Sequence, residues 1–502
     1  MPGTLERAST RFDAIIVGAA LGGLASAAIL AHRGWRVAVI DPLARPGSKV
    51  GGVEVDGWWI DWGHRDGHGI GDLAFIPVFT TRAAEAAGVE LHLRPFTGTS
   101  LRVHWLPEGR ATELPADALI FGEGDAQARM RELCRFFGDV TEDLDAVAEE
   151  TLSVWARLGA FDADEADRLI PVRMGDWLQR NVANPVVHRV ILQQFECMPF
   201  TPAAETSVGR YAQFLQTVRG QAVIPDDPEV GGIAGVVAPF TRGLQRDGGE
   251  MWLGYKAVEI VTDEHQVTGV VVVNEANLVQ LLEAPVVITD HPGWQLPELL
   301  DERMLPTGWL DAAKAVERYG SDGISWWAGL SRLPRRRSDG AVEDNSAPWQ
   351  RILYGHNAIR ECHGGFHFPS SFSSRSAPEG KHLLCVEMVA SGEGGRRWRS
   401  FRDARQSIDM NLEYLRRYYS DLDECVEWSS YQYVAAPQYL SWYGKPVRRH
   451  PVAVSTIGGL YVASSSAETR GAWLDSECAA ALAAIAQLEA DRGAQPPARP
   501  GA

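Results

Sequence analysis

The stretch that decides the fold is IIVGAALGGL, residues 15–24. A short apolar run ends in small residues and passes into Ala- and Leu-rich sequence. That is how a buried parallel strand runs through a tight turn into a helix. The reading extends both ways from there. FDAIIV (12–17) is the strand, residues 22–34 are a helix with side chains small enough to pack closely on a sheet, and WRVAVID (35–41) is a second strand closed by Pro42. Residues 12–41 thus predict one βαβ unit, about 30 residues long.

The turn reads Gly18-x-Ala20-x-x-Gly23, with a further glycine at Gly22. In such a turn the first glycine permits the bend and the second lets backbone approach a pyrophosphate. The third lets the helix pack on the strand, while the helix N-terminus favours the anion. Ala20 adds a methyl at the closest-approach position and is expected to shift the phosphate or the loop rather than abolish the site. Asp41 follows Gly18 by 23 residues, at the end of the second strand. A carboxylate there accepts from ribose hydroxyls and repels a 2′-phosphate. The unit predicts a dinucleotide and disfavours NADP; it fits NAD and FAD alike.

Composition sets the outer limits. At 502 residues the chain is too long for a single core and is expected to form two or more domains. A formal charge of -17 removes the basic footprint that a nucleic-acid partner needs. Two local basic runs, RLPRRR (332–337) and KPVRRH (445–450), are expected to be solvated surface, with contact to anionic lipid or phosphate as the sharper alternative. Six dispersed cysteines without a C-x-x-C pair point to a reduced chain rather than a disulfide scaffold. Residues 1–12 hold no apolar leader core, and no stretch nears the roughly 20 apolar residues of a spanning helix. A cytoplasmic protein is expected, with peripheral membrane contact left open.

Apolar recurrence at three- and four-residue steps predicts helices over 125–220. Strands are predicted at VTGVVVV (267–273), APVVITD (284–290), GISWWAGL (323–330) and KHLLCVEMV (381–389). SIDMNLEYLRRYY (407–419) is a helix, GGLYVASSS (458–466) a strand running into a polar turn, and LDSECAAALAAIAQLEA (474–490) a long helix. This order predicts an α/β fold. A Rossmann-like domain is assembled from residues 10–72, 235–292 and 452–490, with an α+β substrate domain, 73–234 and 293–451, inserted between the pieces. Residues 491–502 are expected to be a disordered tail.

Residues 44–69, ARPGSKVGGVEVDGWWIDWGHRDGHG, narrow the choice of cofactor. The chain resembles the phytoene-desaturase-like branch of the FAD-dependent oxidoreductases, within the amine oxidase and glutathione reductase-like superfamily. That family follows its second strand with a Gly-Gly-Arg turn, a hairpin and a G-F-x-F-D-x-G segment. This chain has Gly47, Ser48 and Lys49, then Gly57-Trp58-Trp59-Ile60-Asp61-Trp62-Gly63. GGEMWLGYKAVEIVTDEHQVTGVVV (248–272), SAPEGKHLL (376–384) and Gly459-Leu460-Tyr461-Val462-Ala463-Ser464-Ser465 are similar to the family's middle, substrate-domain and C-terminal motifs. The resemblance spans residues 12 to about 487. It implies non-covalent FAD, extended, with the isoalloxazine between the two domains. The cofactor-binding residues it implies are Gly18, Ala20, Gly22, Gly23, Asp41, Lys49, Gly63, Ala257 (whose backbone would meet the adenine), Ser464 and Ser465. The departures cluster there: Ala20 and Ser48 stand for glycines, Lys49 for Arg, and Ser464-Ser465 for Gly-Asp.

Flavin carries hydride chemistry itself, and the protein supplies pose, electrostatics and access. The family inserts, saturates or isomerises C–C double bonds in apolar or alicyclic substrates. No G-x-S-x-G nucleophile elbow is present. HRDGH (64–68) spaces two histidines as zinc proteases do, but Arg65 stands where the general base belongs and Gly67 argues against a helix, so no metal is expected. His64, Arg65 and His68, with Asp66, are the candidate catalytic group, because the family's segment here runs beside the flavin. Two histidines and an arginine suit an oxygen- or carboxylate-bearing substrate; the alternative is a hydrogen-bonded loop. Tyr354, His356 and Tyr443 are further acid/base candidates. The expected function is an FAD-dependent desaturase or dehydrogenase acting on CH–CH groups of a lipophilic or alicyclic small molecule, with or without oxygen substituents, its electron acceptor unspecified. A flavin-dependent saturase, a non-redox isomerase and an inactive FAD-fold scaffold are the alternatives.

Overall fold

The computed structural model describes residues 11–48, 50–63, 77–95, 101–106, 116–121, 127–128, 130–131, 134, 143–196, 206–217, 223–317, 322–343, 349–354, 363–390, 398–434, 447–471 and 474–492. The opening βαβ unit forms as strand β1 (Ala14–Val17), helix α1 (Leu21–His32) and strand β2 (Val37–Asp41). All of β1 and β2 is buried, and almost every residue of α1 is buried too. A helix apolar on every side has to be enclosed. Helices Ala234–Arg246 and Leu474–Arg492 close around it, and its own small side chains let them approach.

β1 and β2 lie in a five-stranded sheet. Val287–Thr289 pairs with β1, Leu460–Val462 pairs with Val287–Thr289, and Glu250–Leu253 flanks β2. Every pairing is parallel. Five short strands from distant parts of the chain thus make one Rossmann-like sheet, as the separated motifs predict. The face away from α1 is covered in part by an antiparallel three-stranded sheet, Tyr255–Asp263, Gln266–Asn274 and Val279–Glu283. Ile260, Val270 and Val272 from that sheet share a core with Ile15, Val17 and Ile40.

The second large sheet has seven strands, in the order Val426–Val434, Asp322–Leu330, His382–Ala390, His363–His367, Trp349–Tyr354, Leu101–Leu106, Ala116–Phe121. Helix Phe401–Tyr418 packs on one face through Ala404, Ile408, Leu412 and Leu415 against Ile324, Trp326, Leu384 and Val386. Among the described residues between Leu144 and Thr217, five helices run in succession, Leu144–Gly159, Ala163–Arg168, Met174–Asn181, Pro185–Glu196 and Val208–Thr217, as the periodicity predicts. Five strands of the seven-stranded sheet, all but Asp322–Leu330 and His382–Ala390, are a finding that the hydrophobic pattern does not announce. Several are short, and His363–His367 reads HGGFH. No described helix is long and apolar enough to cross a membrane.

Strands β3 (Val50–Val55) and β4 (Trp58–Gly63) form a hairpin between the two large sheets. Trp58 packs with Trp327, Leu383 and Cys385, and meets Trp428 edge-on with ring centroids 5.4 Å apart. The buried Asp61 carboxylate accepts from Trp59 Nε1 at 2.9 Å and from the Ile233 amide at 3.3 Å, at the start of helix Ala234–Arg246. The hairpin therefore carries the chain from the end of β2 onto the seven-stranded sheet.

The basic run at 332–337 lies largely at the surface, with Arg332, Arg335 and Arg337 exposed, and its charges meet partners within the chain. Arg332 pairs with Asp421 and Glu424, and Arg336 with Asp339. Arg337 donates to the carbonyls of Arg416, Arg417 and Tyr419, closing the end of helix Phe401–Tyr418. Cations are favoured at that end by the helix dipole.

Helix α2 (Val78–Ala86) begins without a cap of its own; Asp475 supplies one from the first turn of the C-terminal helix. The Asp475 carboxylate accepts from the Phe79 amide, from the Thr80 amide at 2.6 Å and from Thr80 Oγ1 at 2.8 Å. Asp475→Ala is expected to cost about 1–3 kcal/mol of stability. Asp475→Asn keeps an oxygen acceptor and is expected to lose less. Chemical denaturation of the three chains checks this, and equal midpoints would remove Asp475 from the fold's supports.

Candidate cofactor site

At the C-terminal ends of β1, β2, Val287–Thr289 and Leu460–Val462, the chain brings Gly18, Ala20, Gly22, Gly23, Asp41, Ser464 and Ser465 together. Gly18 has a φ of +106°, which its neighbours could not adopt cheaply. A Cβ on Gly22 would run into the Ala463 carbonyl, and one on Gly23 into the Gly18 carbonyl. Helix α1 thus reaches its strand ends only because these positions lack side chains.

The Asp41 carboxylate is buried and turned toward the glycine turn. It accepts from the Ala19 amide at 2.8 Å, the Leu43 amide at 2.8 Å and Ser48 Oγ at 2.8 Å. Ser48 keeps a left-handed backbone, φ +41°, where the family has glycine. Its hydroxyl offsets that strain with the bond to Asp41. The Gly47 amide donates to the Ala19 carbonyl at 2.8 Å, so the turns after β1 and after β2 are stitched together.

Two further carboxylates line the start of α1, and the sequence does not single them out. Asp290 Oδ2 accepts from the Ala20 amide at 2.7 Å. Glu477, on the C-terminal helix, accepts from the Ser465 amide at 3.2 Å and lies against Gly22. Ala257 is buried three residues past Gly254, whose amide donates to the Leu43 carbonyl at 3.1 Å. Gly63 ends β4, paired with Val50. Lys49, His64, Arg65 and His68 lie outside the described residues, as do Asp66, His356 and Tyr443. Tyr354 ends the strand Trp349–Tyr354.

Beneath the serine turn lies a buried charged cluster. Arg210, fully buried, donates to both Glu468 oxygens at 2.6 and 2.9 Å. The Arg449 amide donates to Glu468 at 2.9 Å, and Arg449 Nη1 donates to the carbonyls of Ser465 and Ala467 at 2.8 and 3.2 Å. Burial works against the Glu468 carboxylate, but the bonds and charge of Arg210 hold it below the usual range. Burial and the neighbouring Arg210 push the Arg449 guanidinium well down. His450 is buried beside it, with its ring 4.2 Å from that of Trp309. Nδ1 donates to the Pro451 carbonyl at 2.9 Å and Nε2 takes the Ser466 hydroxyl at 2.9 Å. Arg449 and His450 are therefore interior groups, which corrects the expectation of a solvated run over 445–450. The charges there are held by Glu468 and by backbone carbonyls that only the folded turn provides.

The sheet face under the hairpin is aromatic and polar together. Trp327, Cys385 and His367 are cross-strand neighbours, and Gln432, Ser325 and Glu387 form the next row on the same face. His367 and Glu387 are both buried.

The bend at Gly18, the amides that start α1 and the carboxylate at the end of β2 are the donors and the acceptor that a dinucleotide uses, so the residues present fit one. The model of a known family, described as flavin containing amine oxidoreductase, matches residues 21–483. The chain is 22% identical over 413 residues to the chloroplastic prolycopene isomerase of Daucus carota; the match covers 77% of this chain and 62% of that relative's length. In solved structures, an oxidoreductase from Methanosarcina mazei superposes with a TM-score of 0.67 at 14% identity, covering 94% of this chain and 99% of that one. Cyclohexylamine oxidase from Brevibacterium oxydans gives a TM-score of 0.55 at 16% identity, covering 95% and 99%. At these identities the structural likeness is one of fold.

Asp41→Ala is expected to weaken FAD binding by about 1.5–3 kcal/mol, because the turn loses a charge-assisted acceptor. Calorimetric titration with FAD checks it, and an unchanged affinity would relieve Asp41 of that role. His450 yields a pH prediction. Burial, reinforced by Arg449, lowers its pKa to about 4, and the Pro451 and Glu468 contacts only partly oppose this. The unfolded ring titrates near 6.5, so below that pH the unfolded chain binds the extra proton. His450 therefore contributes its full stability above about pH 6.5 and loses it as pH falls through about 4, on the order of 3 kcal/mol in all. His450→Gln is expected to flatten the fall in denaturation midpoint between pH 6.5 and 5; parallel curves for the two chains would contradict this.

Proposed function

The chain belongs to the flavin-containing amine oxidoreductase family, and from that membership we propose that it is an FAD-dependent dehydrogenase or desaturase acting on a CH–CH bond of a lipophilic or alicyclic, oxygen-bearing small molecule. FAD is the family's cofactor. In this reading it is held by Gly18, Ala20, Gly22, Gly23, Asp41, Lys49, Gly63, Ala257, Ser464 and Ser465. Bound FAD supplies hydride acceptance and return, which no side chain offers. Everything else falls to the chain's own groups.

The observation that carries the choice of substrate is the junction of hairpin and sheet. Trp58, Trp327 and Trp428 form an indole wall, and Ser325, Glu387, Gln432 and His367 stand on the same sheet face. An apolar wall with few polar groups suits an apolar skeleton bearing oxygen functions. β4 crosses this face and leads directly into residues 64–68. His64 and His68 are proposed to orient an oxygen substituent or take the proton released as the C–H bond is broken, and Arg65 to hold a carboxylate with two parallel bonds.

The likeness to prolycopene isomerase favours a second reading, an isomerase or saturase working on C–C double bonds with reduced flavin. Anaerobic mixing separates the two. In a dehydrogenase, substrate bleaches the oxidised flavin band; in an isomerase, product forms only after the flavin is first reduced.

His64→Ala and Arg65→Ala are expected to keep FAD and the melting temperature while slowing flavin reduction by substrate, His64→Ala by at least about 10²-fold, the lower end of the range typical of general acid–base groups. Stopped-flow absorbance is the measurement. Wild-type rates in both variants, or loss of FAD and fold in both, would move catalysis away from this loop.

A further inference from the structure

Asp290 occupies a position in the cofactor site that its place in the sequence does not explain. It follows the strand Val287–Thr289, and its amide donates to the Val17 carbonyl at 3.0 Å, so it stands beside Gly18 at the mouth of the turn. Its carboxylate lies in the hollow left by two glycines: a Cβ on Gly18 or on Gly23 would strike it. Its Oδ2 takes the Ala20 amide at 2.7 Å. Ala20 is the N-cap of α1, and α1 has no acid in its own first turn and no side-chain cap of its own. Asp290 therefore brings an anion to the positive end of this helix, where it is stabilised by the helix dipole and by a charge-assisted bond.

A diphosphate bound at the same turn would need the same amides. Ala19 is already bonded to Asp41 and Ala20 to Asp290. One N–H cannot serve two anions at full strength, and two like charges a few ångströms apart at a partly buried site repel. We propose that Asp290 is an internal anion that competes with the diphosphate of FAD for the start of α1, so that the cofactor loads only as this carboxylate gives up the Ala20 amide. The proposal rests on the FAD reading above and adds to it a residue that sets affinity and exchange of the cofactor.

The test measures binding to the full-length chain freed of nucleotide, with no turnover needed. Asp290→Asn keeps an oxygen for Ala20 and removes the charge, whereas Asp290→Ala removes both. FAD, ADP and adenosine are titrated into wild type and both variants at low and high salt. The expected result is at least fivefold tighter binding of FAD and ADP in the variants at low salt, a smaller gain at high salt, and unchanged binding of adenosine, which carries no phosphate. Unchanged or weaker FAD and ADP binding in both folded variants overturns the competition and leaves the cofactor reading standing. An equal gain for adenosine also overturns it, because the effect is then not on the phosphates. Absence of FAD and ADP binding in all three chains overturns the cofactor reading and this proposal together.

Discussion

Helix α1 touches its sheet with almost nothing between them, and the rest of the nucleotide region is arranged around that closeness. Gly18, Gly22 and Gly23 remove the side chains that would hold the helix away. The Ala463 carbonyl, the Asp290 carboxylate and Glu477 then fill the space from segments hundreds of residues later. A helix enclosed on all sides and seated this tightly has one position available to it. The turns after β1 and β2 inherit that position through Asp41, which bonds to both.

The βαβ start, its turn and Asp41 are legible in the sequence because their logic is local. Spacing within some thirty residues sets a strand, a bend, a helix and an acid at a strand end. The same reading places two of the later strands that complete the parallel sheet, Val287–Thr289 and Leu460–Val462, because each is a compact apolar run, but not Glu250–Leu253. It does not find Asp290, Glu477 or Asp475, since Asp290 and Asp475 each work on an amide hundreds of residues away, Glu477 reaches Gly22 only through the fold, and all three look ordinary among their own neighbours. Asp290 reads only as the end of APVVITD, and its role appears when Val287–Thr289 is laid beside β1. The misreading of Arg449 and His450 has the same cause. A basic run is normally solvated, and only the fold brings Glu468 and the carbonyls of Ser465 and Ala467 to meet it.

The seven-stranded sheet divides its labour between faces. One face is sealed by helix Phe401–Tyr418, so its residues are chosen for packing. The other receives the hairpin that leaves β2, and there tryptophans, a histidine and a glutamate share cross-strand rows. β4 is only six residues long, so Trp58, Asp61 and Gly63 tie the two large sheets within a single strand. Displacement of one sheet against the other has to be absorbed in that strand, in its bond to Ile233 or in the indole contacts beside it.

The order of strands in the parallel sheet also bears on how the protein is made. β1 and β2 are translated before the rest of their sheet, and Leu460–Val462, whose neighbour Val287–Thr289 sits directly against β1, follows more than four hundred residues later. At ordinary elongation rates that interval is roughly 20–80 s. For all that time α1, apolar on every side, lacks the C-terminal helix that encloses it. The nascent chain thus displays a sticky, half-built unit through most of its synthesis. That favours chaperone occupancy during translation and delays assembly of the nucleotide pocket until the C-terminal segment has cleared the exit tunnel.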